Sequence, residues 1–213
     1  MSPATPLSAA RLFDALGAEY EHAYAALPEQ HAALEWLIGR LPAGAHILDI
    51  GSGTGIPTAQ LLSGSGFRVD GIDVSPVMVE LARQRVAAAC FQQTDVREYQ
   101  AEPASFDAVC AFFPLLQMSR PEIDETLCRV AGWLRPGGYL VVATVPVDVD
   151  RTDTEFMGRP VRVSSYATPH FVAKVREAGL EIIEKRESTF RPDHPNALPE
   201  PHLFVYARRP QTD

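Results

Sequence analysis

The sequence has too few cysteines for a disulfide framework. Cys90, Cys110 and Cys128 leave one thiol unpaired in any scheme. No C-x-x-C occurs, which argues against zinc and thioredoxin-like spacings. Cys110 falls inside an apolar run, where a thiol behaves as a small hydrophobe. No apolar run reaches membrane-spanning length, and the N-terminus lacks a charged region followed by an apolar one. The chain therefore reads as soluble and cytoplasmic, without a membrane partner. Positive charge is also scarce. The net charge is −8, and the densest basic stretch, Lys174 to Lys185, is interleaved with Glu177, Glu181 and Glu184. With no basic stripe to track phosphates, a nucleic-acid partner is not expected. No internal repeat is evident. A length of 213 residues, with 46% hydrophobic and 22% charged, fits one globular domain with a substantial core.

What is present centres on Ile47-Leu48-Asp49-Ile50-Gly51-Ser52-Gly53-Thr54-Gly55. Ile47, Leu48 and Ile50 make the short apolar run of a central parallel strand buried on both faces. Three alternating glycines then end the strand; glycine permits positive φ and close approach of a ligand to the backbone. Pro57 suits the first turn of a helix expected from Ile56 to Leu62. Strand, glycine turn and helix together form a nucleotide-binding loop. The dinucleotide fingerprint G-x-G-x-x-G would place its third glycine at 56, which is Ile56.

Asp-x-Gly-x-Gly-x-Gly, with Asp49 leading, resembles motif I of class I S-adenosylmethionine (SAM)-dependent methyltransferases. In that family the loop passes beneath the methionine and ribose parts of SAM. A second specific resemblance is Leu134-Arg135-Pro136-Gly137-Gly138, a turn that enters the apolar strand Tyr139 to Val145. The resemblance covers about Ala45 to Val145. It implies a Rossmann-like α/β fold: a seven-stranded, mostly parallel sheet with an antiparallel last strand and helices on both faces.

The rest of the chain can be set around that frame. Residues 1–7 read as loose. Leu12, Phe13, Leu16, Tyr20 and Tyr24 recur at helical spacing between Ser8 and Leu27, and Ala33, Leu34, Leu37, Ile38 and Leu41 mark a second helix. Residues 1–44 are thus expected to form an N-terminal helical cap on a domain spanning 45–213. Phe67 to Asp73 reads as the second strand. Asp73 lies 18 residues beyond Gly55, a distance that suits an acid reaching a ribose hydroxyl. Ser75-Pro76 starts the next helix. Cys90 to Thr94 and Phe106 to Phe113 read as the third and fourth strands, and Ser119-x-x-Glu122 as a capping box. Regular alternation stops between residues 146 and 167, a polar insertion expected to act as a substrate lid. A helix from Thr168 and two final strands, Glu181 to Phe190 and His202 to Arg209, close the chain, with Arg191 to Pro201 linking a long hairpin.

By resemblance, SAM is the cofactor. Its contacts are Asp49, Gly51, Ser52, Gly53, Gly55, Asp73, Val74 (against adenine), Met78, Asp95 (toward the adenine amino group), Val96 and Phe112. No carboxylates adjoin the end of the fourth strand, so the metal-dependent phenol methyltransferase arrangement is not expected, and no metal is assigned. The Asn-Pro-Pro-Tyr type motif of amino-methylating nucleic-acid enzymes is absent. The expected reaction is in-line methyl transfer to a small, apolar or aromatic acceptor. Tyr20, Tyr24, Phe113, Leu115, Gln117, Met157 and Tyr166 are its expected contacts. A base is needed only if the nucleophile starts protonated; Tyr20, His22, Tyr24, Tyr166 and His170 are candidates, and none is singled out. Two alternatives stand beside this reading: an NAD-dependent oxidoreductase, and a SAM-binding member of the fold that does not methylate. The sequence leaves the oligomeric state open.

Overall fold

The computed structural model describes residues 5–211. Residues 1–4 of the N-terminal stretch read as loose lie outside the described residues. Leu7 is not loose: its N–H donates to the Pro160 carbonyl at 2.8 Å.

The chain runs α1 (Ala9–Leu16), α2 (Ala18–Tyr24), α3 (Pro28–Ile38), β1 (His46–Ile50), α4 (Thr58–Gly64), β2 (Arg68–Asp73), α5 (Pro76–Arg85), β3 (Cys90–Gln93) and β4 (Phe106–Phe112). It continues with α6 (Arg120–Trp133), β5 (Leu134–Thr144), β6 (Val149–Phe156), β7 (Arg159–Ser165), α7 (Thr168–Glu177), β8 (Glu181–Phe190) and β9 (Glu200–Arg208). Seven strands form one sheet in the order β3-β2-β1-β4-β5-β9-β8. β1 pairs in parallel with β2 and β4, and β4 with β5; β9 is antiparallel to both β5 and β8. Six strands therefore point one way and the last in sequence points against them. A dinucleotide-binding sheet has no such reversed strand wedged in beside its fifth.

Side-chain alternation along β1 explains its central place. Ile47 joins a core with Leu34, Leu37, Ala59 and Leu62 on one face, while Leu48 and Ile50 join Leu127, Val130 and Phe171 on the other. α1, α2 and α3 contribute Leu12, Leu16, Tyr24, Leu34 and Leu37 to the first of these cores. The N-terminal helices thus share the sheet's core and have none of their own.

Two expectations change. The single helix read across Ser8 to Leu27 is broken at Gly17, whose φ of 50° and ψ of −131° no L-residue adopts easily. The insertion read as irregular is a β-hairpin, β6 pairing antiparallel with β7. Its first strand is nearly all exposed, so its sequence carries no apolar alternation to mark it. Met157 (φ 48°) and Gly158 (φ 76°) form its two-residue turn, the positive-φ pair that matches strand twist.

Candidate functional site

The ends of β1, β2 and β3 meet at one edge of the sheet, beside the point where strand order reverses between β1 and β4. After β1 the backbone is pinned to β2: the N–H groups of Gly51 and Ser52 both donate to the Ile72 carbonyl, at 2.8 and 3.0 Å. The Gly53 N–H donates to Asp73 Oδ2 at 2.9 Å, and the Ser75 N–H to Asp73 Oδ1 at 2.9 Å.

The three loop glycines serve different ends. A Cβ on Gly51 would lie 2.6 Å from Pro114 Cβ, and one on Gly55 would lie 3.0 Å from Val86 and 3.1 Å from Phe91. Those two glycines let the loop pack against protein. A Cβ on Gly53 would meet nothing within 4 Å, although φ there is 52°. Gly53 faces open cleft. Two clefts of about 100 and 200 Å³ adjoin it. The first is lined by Gly51, Gly53, Asp73, Val74, Met78, Asp95, Val96 and Phe112. Asp49, Ser52, Thr54, Thr58, Gln30 and His31 line the second. Of the expected cofactor residues, only Gly55 stays out of both, for the packing reason just given.

Buried polar atoms without partners mark the same place. Asp49 Oδ2, Ser52 Oγ and Gln117 Oε1 are buried and make no hydrogen bond. Burial, and then the nearby Asp73 charge, push the Asp49 carboxyl up to about 8. Burial also raises Asp73, against the lowering effect of the Ser75 and Gly53 N–H groups. Such atoms call for a polar ligand. A ligand with hydroxyls and an ammonium fits this chemistry: Asp73 retains acceptor capacity, and Asp49 and Ser52 hold unpartnered oxygens. Asp95 lines the first cleft while also pairing with Arg97. Its carboxylate is held by Arg97 through Nε and Nη2, at 3.0 and 2.6 Å.

Beyond β4 lies a third space, a cavity of about 260 Å³ walled by Leu12, Phe13, Tyr20, Tyr24, Phe113, Phe156, Val161 and Val163. Gln117, Thr154, Glu155 and Glu200 are its polar members. Tyr20 and Phe113 line this cavity and both clefts, so the three spaces adjoin these two residues. Phe113 holds φ at 66°, a strained setting for a bulky residue of the kind found at functional sites.

The structure separates the acceptor and base candidates. Tyr20, Tyr24, Phe113 and Gln117 face the cavity. Met157 does not; it is buried at the hairpin turn, and its neighbour Phe156 takes the wall. Leu115 packs in the second core. Tyr166 is buried there too, donating to Asp124 Oδ1 at 2.9 Å beneath the Arg120 guanidinium. His22 and His170 are exposed on helix surfaces away from the cavity. Burial, and then the Glu200 charge, push the Tyr20 and Tyr24 hydroxyls above the ordinary tyrosine value and hold them protonated. Sequence reasoning missed Glu200 and His202, which open β9 two residues apart and therefore share a face. It also missed Asp14, which accepts from Ser75 Oγ at 2.6 Å and ties α1 to the start of α5. Glu21 of α2 similarly holds Thr54 Oγ1 of the glycine loop and Arg85.

This sheet order, with a glycine loop on β1 and acids ending β1 and β2, defines a class I SAM-dependent methyltransferase domain, and SAM is the cofactor of that class. Residues 47–138 match the family model of the methyltransferase domain. Methyltransferase GfsG of Streptomyces halstedii is 32% identical over 171 residues, covering 74% of this chain and 61% of the relative. The 27-O-demethylrifamycin SV methyltransferase of Amycolatopsis mediterranei is 33% identical over 160 residues, covering 68% and 58%. The chain thus spans about three-fifths of the length of these relatives. Among solved structures, the [4+2]-cyclase SpnF superposes with a TM-score of 0.73 at 20% identity, covering 99% of this chain and 98% of that one. A SAM-dependent methyltransferase from Methanosarcina mazei gives 0.68 at 18% identity, covering 82% and 96%. At such identities the two structures speak for the fold. Among the described residues, no group of three or more His, Cys, Asp or Glu could hold a metal ion, and no helix is long and apolar enough to cross a membrane.

Proposed function

We propose that the chain transfers a methyl group from SAM to a small, apolar or aromatic acceptor. The observation that carries this reading is that Tyr20 and Phe113 line both the apolar cavity and the clefts around Gly53. When bound, SAM supplies an electrophilic methyl carbon on a cationic sulfur. The transfer neutralises that charge, so apolar surroundings do not oppose it. The chain's own contribution is placement. Gly53 leaves room for the cofactor, Asp73 and Asp49 orient its polar ends, and the aromatic walls hold the acceptor in line. Effective molarity from such positioning supplies roughly 7–11 kcal/mol in favourable cases. In this reading residues 9–38 are a cap over the cofactor, and the hairpin of β6 and β7 is a wall of the acceptor cavity. The relative named for methylation of 27-O-demethylrifamycin SV supports it.

A second reading is favoured by one finding, the end-to-end superposition on a cyclase: the domain holds SAM without consuming it. Incubation with SAM and an acceptor library separates the two. Methylated product with stoichiometric S-adenosylhomocysteine supports methyl transfer. Acceptor rearranged without S-adenosylhomocysteine overturns it in favour of the second reading. Recovery of a nicotinamide cofactor from the purified protein would overturn both.

A further inference from the structure

The Glu200 side chain sits in the wall of the acceptor cavity, the position of a base that sequence reasoning left unfilled. Its Oε1 is held twice. The Tyr24 hydroxyl donates to it at 2.8 Å, and His202 Nε2 lies 2.9 Å from it. With Glu200 ionised, Nε2 must carry the hydrogen of that contact. His202 is itself fully buried, its ring 4.5 Å from that of Phe113, and its Nδ1 has no partner. Both side-chain hydrogen bonds of the carboxylate go to Oε1, which leaves Oε2 free for a ligand. The other titratable groups about the cavity are Tyr20 and Tyr24 from α2 and Glu155 from β6. Both tyrosines are held protonated, principally by burial, so the two glutamates are the only anionic groups in this wall among the described residues.

From this arrangement we propose that Glu200 is the general base for an acceptor bearing a weakly acidic hydroxyl on a flat ring, with Tyr24 and His202 as its positioning residues. The inference rests on the methyl-transfer reading above and narrows it to oxygen. The acceptor O–H bond breaks and its proton passes to Glu200 Oε2. The oxygen lone pair forms the new bond to the methyl carbon, the carbon–sulfur bond breaks, and its electron pair returns to sulfur. An amine suits this wall less well. A neighbouring anionic carboxylate favours the ammonium form, which has no lone pair to attack with. The rings of Phe13, Tyr20, Tyr24, Phe113 and Phe156 favour a flat partner.

4-Nitrophenol, whose ionisation is visible by absorbance, tests this without turnover. Calorimetry first establishes that wild type and Glu200→Gln bind S-adenosylhomocysteine; if wild type does not, the cofactor reading itself fails. On the loaded protein, Glu200 should hold the phenol proton and repel phenolate, so bound 4-nitrophenol should ionise at a higher pH than free. In Glu200→Gln that rise should shrink to the part that burial alone supplies, and affinity for the protonated phenol should fall about tenfold or more, with cofactor affinity preserved. Tyr24→Phe, which keeps the carboxylate, should retain most of the rise. The same ionisation pH in wild type and Glu200→Gln overturns the proposal. So does failure of 4-nitrophenol to bind loaded wild type. Where Glu200→Gln does not fold, the wild-type titration decides alone: no rise above free 4-nitrophenol overturns the assignment.

Discussion

The two halves of the carboxyl edge are built in different ways. On the β1 to β3 side, the floor of the clefts comes largely from one stretch of chain, Asp49 to Arg97, to which β4 and its loop add Phe112 and Phe113 and the N-terminal helices add Tyr20, Gln30 and His31. On the β4 and β9 side, the cavity gathers Leu12, Tyr24, Phe113, Phe156 and Glu200 from across nearly the whole chain. In the proposed reading the first half binds the cofactor, with spacing fixed by βαβ geometry, and specificity falls to the second half, whose members come from the N-terminal helices, an inserted hairpin and the final strand. That reading separates a common cofactor from a private acceptor along one sheet edge.

The sharpest way to break this division is Gly53→Val. Gly53 faces cleft and not protein, so a branched side chain there should abolish SAM binding, strained as it is at positive φ, while the domain stays folded. Calorimetry on the folded variant that shows undiminished affinity would remove the loop from the site. Met157→Ala probes the other half. Met157 is buried at the hairpin turn and does not touch the cavity, so the variant should lose about 2–5 kcal/mol of stability with the KM for the acceptor unchanged. Denaturant melts with kinetics on a known acceptor check it, and an altered KM at full stability reverses the assignment.

Asp73→Ala should weaken SAM binding by about 1.5–3 kcal/mol, the range for a hydrogen bond to a charged group, and Asp73→Asn by less. Wild-type affinity in both variants would place the ribose contact elsewhere. Asp49 gives a pH test of the unliganded protein. Its carboxyl is raised from 3.8 to about 8, so between those values the folded state holds a proton that the unfolded state releases. Stability is therefore fully present below the ordinary carboxylate pKa and falls as pH climbs toward 8. A tenfold difference in proton affinity between the two states is worth about 1.4 kcal/mol, so the melting temperature should drop by at least about 3 °C over that window. Asp49→Asn should flatten the drop; an identical pH profile in the variant refutes the account. The smallest effect is expected from Phe156→Ala. Loss of one ring from the cavity wall should change acceptor KM about two- to tenfold, as for an aromatic contact of about 0.5–1.5 kcal/mol, and leave SAM affinity alone. Equal losses for SAM and acceptor would mean the hairpin supports both halves.

Much of the fold was legible because its signals are local. An apolar run with glycines behind it, Ser-Pro at a helix start and a capping box each encode their own geometry within a few residues. The hairpin of β6 and β7 escaped because its first strand is polar and exposed, with nothing to alternate. Gly17 was passed over since helical spacing continues on both sides of it. The aromatic residues of the acceptor side were ambiguous for a plainer reason: burial and ligand contact demand the same side chains. Tyr24 and Tyr166 are alike in sequence terms, yet one faces the cavity and the other fills the opposite core.

By itself, then, the sequence determined the sheet's central strand, the glycine loop and the acids at the ends of β1 and β2, since chain connectivity alone sets those distances. Tertiary structure decided which glycine faces ligand and which faces protein. It also brought Glu200 to the Tyr24 hydroxyl across 176 residues of sequence. No periodicity records such a meeting. Folding the final antiparallel strand against β5 places Glu200 and His202 at the same edge as α2, and only that packing makes them part of a site.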